Sequence, residues 1–159
     1  MIKVLMVCTG NICRSPMAEY VLKAMVEQAG LSDQISVDSA GISAEEVGNT
    51  VHHGTVNILR KYGIQHDGFR PARQITGGDI QDFDYLLAMD SSHLRNLQRR
   101  VGDSKANVSL FLSDAVKSGA VTYEDVPDPW YDGKFDLTYD LVTKGCAAFL
   151  QRLRAEQAL

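Results

Sequence analysis

Two kinds of apolar pattern alternate along the chain. "IKVLMVC" (residues 2–8) is a near-continuous apolar run, as expected of a strand covered on both faces. From Pro16 onward Met17, Ala18, Val21, Leu22 and Met25 recur at helical spacing, and Gly30 is a fitting residue to close that helix. "ISVDSAG" (35–41), "FDYLLAMD" (83–90) and "NVSLFL" (107–112) read as three further strands. Val51 to Tyr62 places Thr55, Ile58, Leu59 and Tyr62 on one helical face, with Gly63 after it, and another helix is expected from about Ser92 to Arg100. A last helix runs from about Phe135 to Ala155, with Val142, Cys146, Phe149, Leu150 and Leu153 as its stripe. The stretch from Ser113 to Lys134 fits neither period and reads as one long loop, a type that is often functional.

Strand–helix alternation predicts an α/β fold, a parallel sheet with helices on both faces and right-handed crossovers. The length suits a single domain over residues 1–159. In open α/β sheets ligands bind outside the carboxyl ends of the strands. Cys8, the turn Ser39–Gly41 and Asp90 all fall at such ends.

Composition narrows the partners. The net charge is −4 and Lys and Arg are scattered, which argues against nucleic acid or an anionic membrane as partner. No apolar stretch approaches the roughly 20 residues that span a bilayer. The opening "MIKVLMVC" is too short an apolar block for a signal peptide. Three cysteines without ladder spacing argue against a disulfide scaffold, so a reducing cytoplasm is the expected compartment. His52 and His53 are expected on different helix faces, and His66 and His93 have no partner at ligand spacing, so neither a metal nor a cofactor is expected.

The segment Cys8-Thr9-Gly10-Asn11-Ile12-Cys13-Arg14-Ser15 has the form of an anion cradle. Gly10 and Asn11 tolerate positive φ, which lets a backbone curl and aim successive N–H groups inward. Ser15 suits a helix N-cap, Pro16 the first helical position and Glu19 the first turn, so the positive end of a helix dipole would face the loop. The Gly-Lys-Ser/Thr ending of an ATP-binding loop is absent. Free cysteine ionises near pH 8.5, and near helix N-termini and cations that value falls to roughly 3.5–7.5. Arg14 can grip two phosphate oxygens at once. A thiolate at Cys8 beside such a nest is a nucleophile for phosphorus. A bare Cys-x5-Arg-Ser also arises by chance; its place between a strand end and a helix start is what gives it weight.

Thiolate attack expels an alkoxide or phenolate, and a positioned proton donor contributes on the order of 10²–10⁴-fold. "DVPDPWYDG" offers Asp125, Asp128 and Asp132. Asp128 lies between Pro127 and Pro129, which restrict its backbone, and Trp130 and Tyr131 beside it could wall a pocket for an aromatic group. The alternative is a proline-rich surface turn with an incidental acid.

"VCTGNICRSPMAE", with "DSAG", "FDYLLAMD" and then "DPWY" following in order, resembles the low-molecular-weight protein tyrosine phosphatases over nearly the whole chain. That resemblance implies a four-stranded parallel sheet flanked by helices, with the phosphate-binding loop after the first strand. It also implies metal-free hydrolysis of phosphotyrosine in proteins through a phosphocysteine, by a monomer or weak dimer. Position by position it gives Cys8 as nucleophile, Arg14 as phosphate-binding arginine and Asp128 as general acid. Thr9, Gly10, Asn11, Ile12 and Cys13 would line the phosphate loop, and Ser15 would hydrogen-bond the thiolate. Asn11 would pin the loop together with Ser39. Cys13 would match a second loop cysteine that can pair with Cys8 under peroxide. Asp90 would be a supporting acid or a purely structural one.

The chain departs from the family in two places. Glu45 stands where many members carry a pocket-wall Trp or Tyr, and "HDGFRPARQ" lacks the histidine often found just before "ARQ". Three rivals remain. Thioredoxin-coupled arsenate reductases share the loop but need two further cysteines, and here only Cys146 is left, on an apolar helix face. Protein arginine phosphatases carry Thr at the position of Ile12, whose apolar side chain suits a flat ring better than a guanidinium. A non-catalytic phosphate-binding module or phosphocysteine carrier would have no use for Asp128.

Overall fold

Along β1 (Ile2–Cys8) successive side chains pass to opposite faces of the sheet, so an unbroken apolar run feeds two cores. Val4, Met6 and Cys8 enter the larger core, and Leu5 and Val7 enter the smaller one. The computed structural model describes residues 1–159. The remaining elements are α1 (Arg14–Gln28), β2 (Ile35–Gly41), α2 (His53–Lys61), α3 (Gly77–Asp82) and β3 (Tyr85–Ala88). They continue with α4 (Ser91–Val101), β4 (Asn107–Leu110), α5 (Ser113–Lys117), α6 (Pro129–Asp132) and α7 (Phe135–Gln157).

The four strands form one parallel sheet in the order β2-β1-β3-β4. On one face α1 and α7 pack together, and Met17, Leu22, Phe149 and Leu153 join Phe111 and Leu112 in the larger core. On the other face Ile80 of α3 and Leu97 of α4 cover Leu5, Val7, Leu86 and Ala88. From β1 the chain runs outward to β2 and then returns to β3 on the other side of β1. The carboxyl end of β1 is therefore the point where the strand order reverses, the place at which open α/β sheets leave a crevice. No helix is long and apolar enough to cross a membrane.

Helix ends follow local chemistry. Gly30 and Gly63 take φ of 72° and 68°. At each, the next residue's N–H closes back over the last turn, Leu31 to Val26 O and Ile64 to Leu59 O, which satisfies carbonyls the helix leaves open. The stripe of α7 is buried as its spacing predicts, whereas Tyr62 of the α2 pattern lies half-exposed, stacked on Tyr139.

The structure corrects the sequence reading in several places. The expected loop from Ser113 to Lys134 contains α5 and the one-turn α6. Helix α3 lies where the sequence pattern predicts no element, because Gly77 and Gly78 hide the capping box that Thr76 and Asp79 form around its start. Strand β3 covers only Tyr85–Ala88 of the expected 83–90, since Asp90 is already the N-cap of α4. Helix α1 begins at Arg14 with Cys13 as N-cap, so Ser15 is not a cap and Pro16 is its third residue; the missing N–H of Pro16 still costs nothing there. Glu19 consequently falls beyond the first turn and is buried.

Gly145 on α7 lets that helix approach the buried Phe111 ring, which a Cβ would overlap while coming within 2.9 Å of Leu112 Cδ2. Gly145→Ala is expected to lower stability by about 1–3 kcal/mol through overpacking, outweighing a helix-propensity gain of about 0.5–1 kcal/mol. A urea midpoint equal to or above that of the parent would show that the Phe111 ring repacks freely.

Candidate active site

The loop from Cys8 to Ser15 curls because Asn11 takes the left-handed conformation, φ 61°. Gly10, which could tolerate positive φ, does not adopt it. Its lack of a side chain serves close packing, since a Cβ there would lie 2.9 Å from Glu46 Cγ. Gly41 at the end of β2 has a similar duty, for a Cβ there would meet Thr9 O at 2.8 Å and Asn11 N at 3.1 Å. Loop carbonyls are drawn outward: Cys8 O accepts from Ile42 N–H, Thr9 O from Ser43 N–H and Ile12 O from His52 N–H, each at 2.9 Å. The N–H groups of Arg14 and Ser15 at the start of α1 have no helical carbonyl to accept them, which suits them to an anion.

Behind the loop a chain of buried polar groups fixes the Cys8 sulfur. Asn11 Nδ2 donates to Ser15 Oγ and to Ser39 Oγ, each at 2.9 Å, while its Oδ1 accepts from Arg73 N–H at 3.0 Å. Ser15 Oγ already accepts from Asn11, so its own proton is free for Cys8 Sγ, 2.9 Å away. The Asn11 N–H also reaches Sγ at 3.3 Å. Ser39 Oγ donates to Glu19 Oε1 at 2.6 Å, and Arg70 Nη2 lies 2.6 Å from Ser39 Oγ and 3.0 Å from Glu19 Oε1. The buried Glu19 carboxylate is thus paired with Arg70 and with Lys23, not placed against the helix dipole.

Arg14 is almost fully buried. Its Nη1 donates to Asp90 Oδ2 and to Val126 O, both at 2.9 Å. Its Nη2 is held loosely, 3.4 Å from Thr9 Oγ1 and 3.5 Å from Asp128 Oδ2. Asp128 caps α6 by accepting the Trp130 N–H on Oδ1. The two other acids of that segment are turned to other work: Asp125 accepts from Ser91 N–H and Oγ–H, and Asp132 accepts from Lys134 N–H.

One pocket gathers the expected residues. It is lined by Cys8, Thr9, Gly10, Ile12, Cys13 and Arg14 of the loop, by Asp128, Trp130 and Tyr131 of the α6 turn, and by Ser43, Glu45 and Glu46 from the segment after β2. Trp130 is half-exposed, and Tyr131, at 85% exposure, stands on the rim. Asn11, Ser15 and Ser39 stand behind this lining, and Asp90 braces Arg14. Burial, then the neighbouring Cys8, pushes the Cys13 thiol up to about 12, so it stays protonated beside Cys8. Burial would raise the Asp90 carboxyl, but the Ser92 hydroxyl, His93 and Arg14 hold it down at about 2.

Several participants escaped the sequence reading. His52 and His53 do not diverge; their rings stack, and His52 also stacks on Phe135 and meets Trp130 edge-on. Its Nδ1 accepts from Gly54 N–H, capping α2. His93, set aside as partnerless, lies buried against Thr9. The signal available for it was its place three residues after the cap Asp90. Glu46 and Arg70 carried no such signal. No three His, Cys, Asp or Glu side chains are grouped so as to hold a metal ion.

Comparison with known proteins agrees with this geometry. The family model described as low molecular weight phosphotyrosine protein phosphatase matches residues 3–159. The low molecular weight protein-tyrosine-phosphatase YfkJ of Bacillus subtilis is 42% identical over all of both chains. The crystal structure of YfkJ superposes with a TM-score of 0.91, at 41% identity, over 98% of this chain and 96% of that one. A Drosophila arginine phosphatase is also similar, with a TM-score of 0.86 and 32% identity over 96% of this chain and 98% of that one. With the loop, its buried support and the acid-bearing turn in place, and with the match running from Lys3 to the last residue, the chain belongs to the low molecular weight phosphotyrosine protein phosphatase family.

Proposed function

We propose that this chain hydrolyses phosphotyrosine in proteins, and small aryl phosphates, in two steps through a phosphocysteine. The observation that carries the reading is the convergence on one pocket of the Cys8 sulfur, the Arg14 guanidinium and the Asp128 carboxyl, beneath an aromatic wall. In the first step Cys8 Sγ forms a bond to phosphorus as the bond from phosphorus to the phenolic oxygen breaks. Loop N–H groups, Arg14 Nε and the loosely held Nη2 take the phosphoryl oxygens. Protonated Asp128 passes its proton to the departing phenolate. In the second step Asp128, now a carboxylate, takes a proton from water as that water attacks phosphorus. The S–P bond then breaks, and Ser15 O–H stabilises the thiolate that leaves. Cys13, kept protonated, does not compete as nucleophile.

Ile12, Trp130 and Tyr131 give the pocket an apolar lining that suits a phenyl ring. Phosphoarginine is the second reading, and what favours it is the pair Glu45 and Glu46 in the pocket lining, whose carboxylates suit a guanidinium. Competing turnover of phosphotyrosine, phosphoarginine and phosphoserine peptides decides between them. Preference for phosphotyrosine supports the proposal, and preference for phosphoarginine replaces it.

Cys8→Ser is expected to abolish turnover of p-nitrophenyl phosphate while inorganic phosphate still binds. Residual turnover above the uncatalysed rate would remove Cys8 as nucleophile. Asp128→Ala is expected to slow phenyl phosphate, whose leaving group is poor, by on the order of 10²-fold or more, and p-nitrophenyl phosphate far less. Equal losses on both substrates would mean that another group supplies the proton.

A further inference from the structure

His93 belongs to the first turn of α4 and is buried, yet it takes no part in the chemistry proposed above. Its Nε2 lies 2.8 Å from Thr9 Oγ1. Its Nδ1 lies 3.3 Å from Asp90 Oδ1, poorly aligned, and has no other partner. Asp90 Oδ2 accepts from Arg14 Nη1, and Arg14 Nη2 reaches back to Thr9 Oγ1. Arg14, Asp90, His93 and Thr9 therefore close a ring, each touching the next.

The ring fixes its own protons. A proton on Nδ1 avoids setting a lone pair 3.3 Å from a carboxylate oxygen, which favours that tautomer. Nε2 is then the acceptor, and Thr9 must donate its hydroxyl proton to it. The Thr9 oxygen lone pairs are left facing Arg14 Nη2. We propose that His93 is a positioning residue which, as a neutral imidazole, locks Thr9 and Asp90 around Arg14 so that the guanidinium is set before a phosphoryl group arrives. The proposal rests on the phosphatase reading for its consequence but not for its geometry.

The surroundings keep His93 neutral. Burial and Arg14 from α1 disfavour its charge, while Asp90, Asp128 and Asp125 favour it; burial wins and lowers it to about 4. An unfolded chain binds that proton near pH 6.5, so this residue removes stability as pH falls from about 6.5 towards 4.

The test measures inorganic phosphate affinity and p-nitrophenyl phosphate kinetics together in four variants. His93→Ala is expected to weaken phosphate binding and kcat/KM about tenfold, the loss of one structured hydrogen bond. His93→Gln places an acceptor near the former Nε2 and is expected to recover most of that loss. It should also flatten the fall in unfolding stability between pH 6.5 and 4. Thr9→Val should match His93→Ala, and the double variant should be no worse than either. Thr9 is exposed, so Thr9→Val carries the test even if His93→Ala fails to fold. Parental phosphate affinity in Thr9→Val, equal damage from Ala and Gln at position 93, or multiplicative losses in the double variant would each overturn the proposal. If phosphate affinity follows these expectations but the parent turns over no aryl phosphate, the positioning role stands and the phosphatase reading fails.

Discussion

The Ser15 hydroxyl and the Asn11 N–H both meet the Cys8 sulfur, and their aim depends on how Asn11 is held. Both hydrogens of its side-chain amide are used, on Ser15 and Ser39, and its oxygen takes one from Arg73. Because Asn11 is also the residue with positive φ, one side chain holds the turn that curls the loop and the contact that orients a proton at sulfur. Removing either partner would leave buried polar groups unsatisfied, which costs on the order of 1–3 kcal/mol per group. The sulfur is therefore placed by a network reaching from α1 through β2 to the segment before α3.

That network is affordable only because of where the sheet puts it. The strand order brings the ends of β1, β2 and β3 to one edge, so Cys8, Ser39 and Asp90 arrive together although they are far apart in sequence. Rigid apolar cores on both faces then hold the strand ends while the loop above them carries strained and polar groups.

Much of this was legible in the sequence, and what was missed shares a cause. The apolar runs gave all four strands, and the stripe of α7 matched its buried face. The loop from Cys8 to Ser15 announced itself through residues that are neighbours in the chain. The type and place of Ser15 suit a cap, yet the helix starts two residues earlier than that cap would set it, and the hydroxyl goes to sulfur. Arg70 offers nothing local, and His93 offers only its place three residues after Asp90, since each gains its meaning from a partner many positions away that only the fold supplies. Helix α3 was obscured by two glycines, where poor propensity outweighed a capping box that the structure uses.

The one-turn helix α6 leaves a mark on the chemistry that its size conceals. Asp128 Oδ1 accepts the Trp130 amide, so in the proposed mechanism Oδ2, approached only by the loosely held Arg14 Nη2, would carry the proton. Under that mechanism a phenolic leaving group would be protonated from a single side, and the same turn that ties down the first oxygen carries the indole ring of Trp130 in the pocket lining. Proton delivery and ring orientation would in this way be mechanically geared, and a substrate whose aryl group lies at another tilt would meet an acid facing elsewhere.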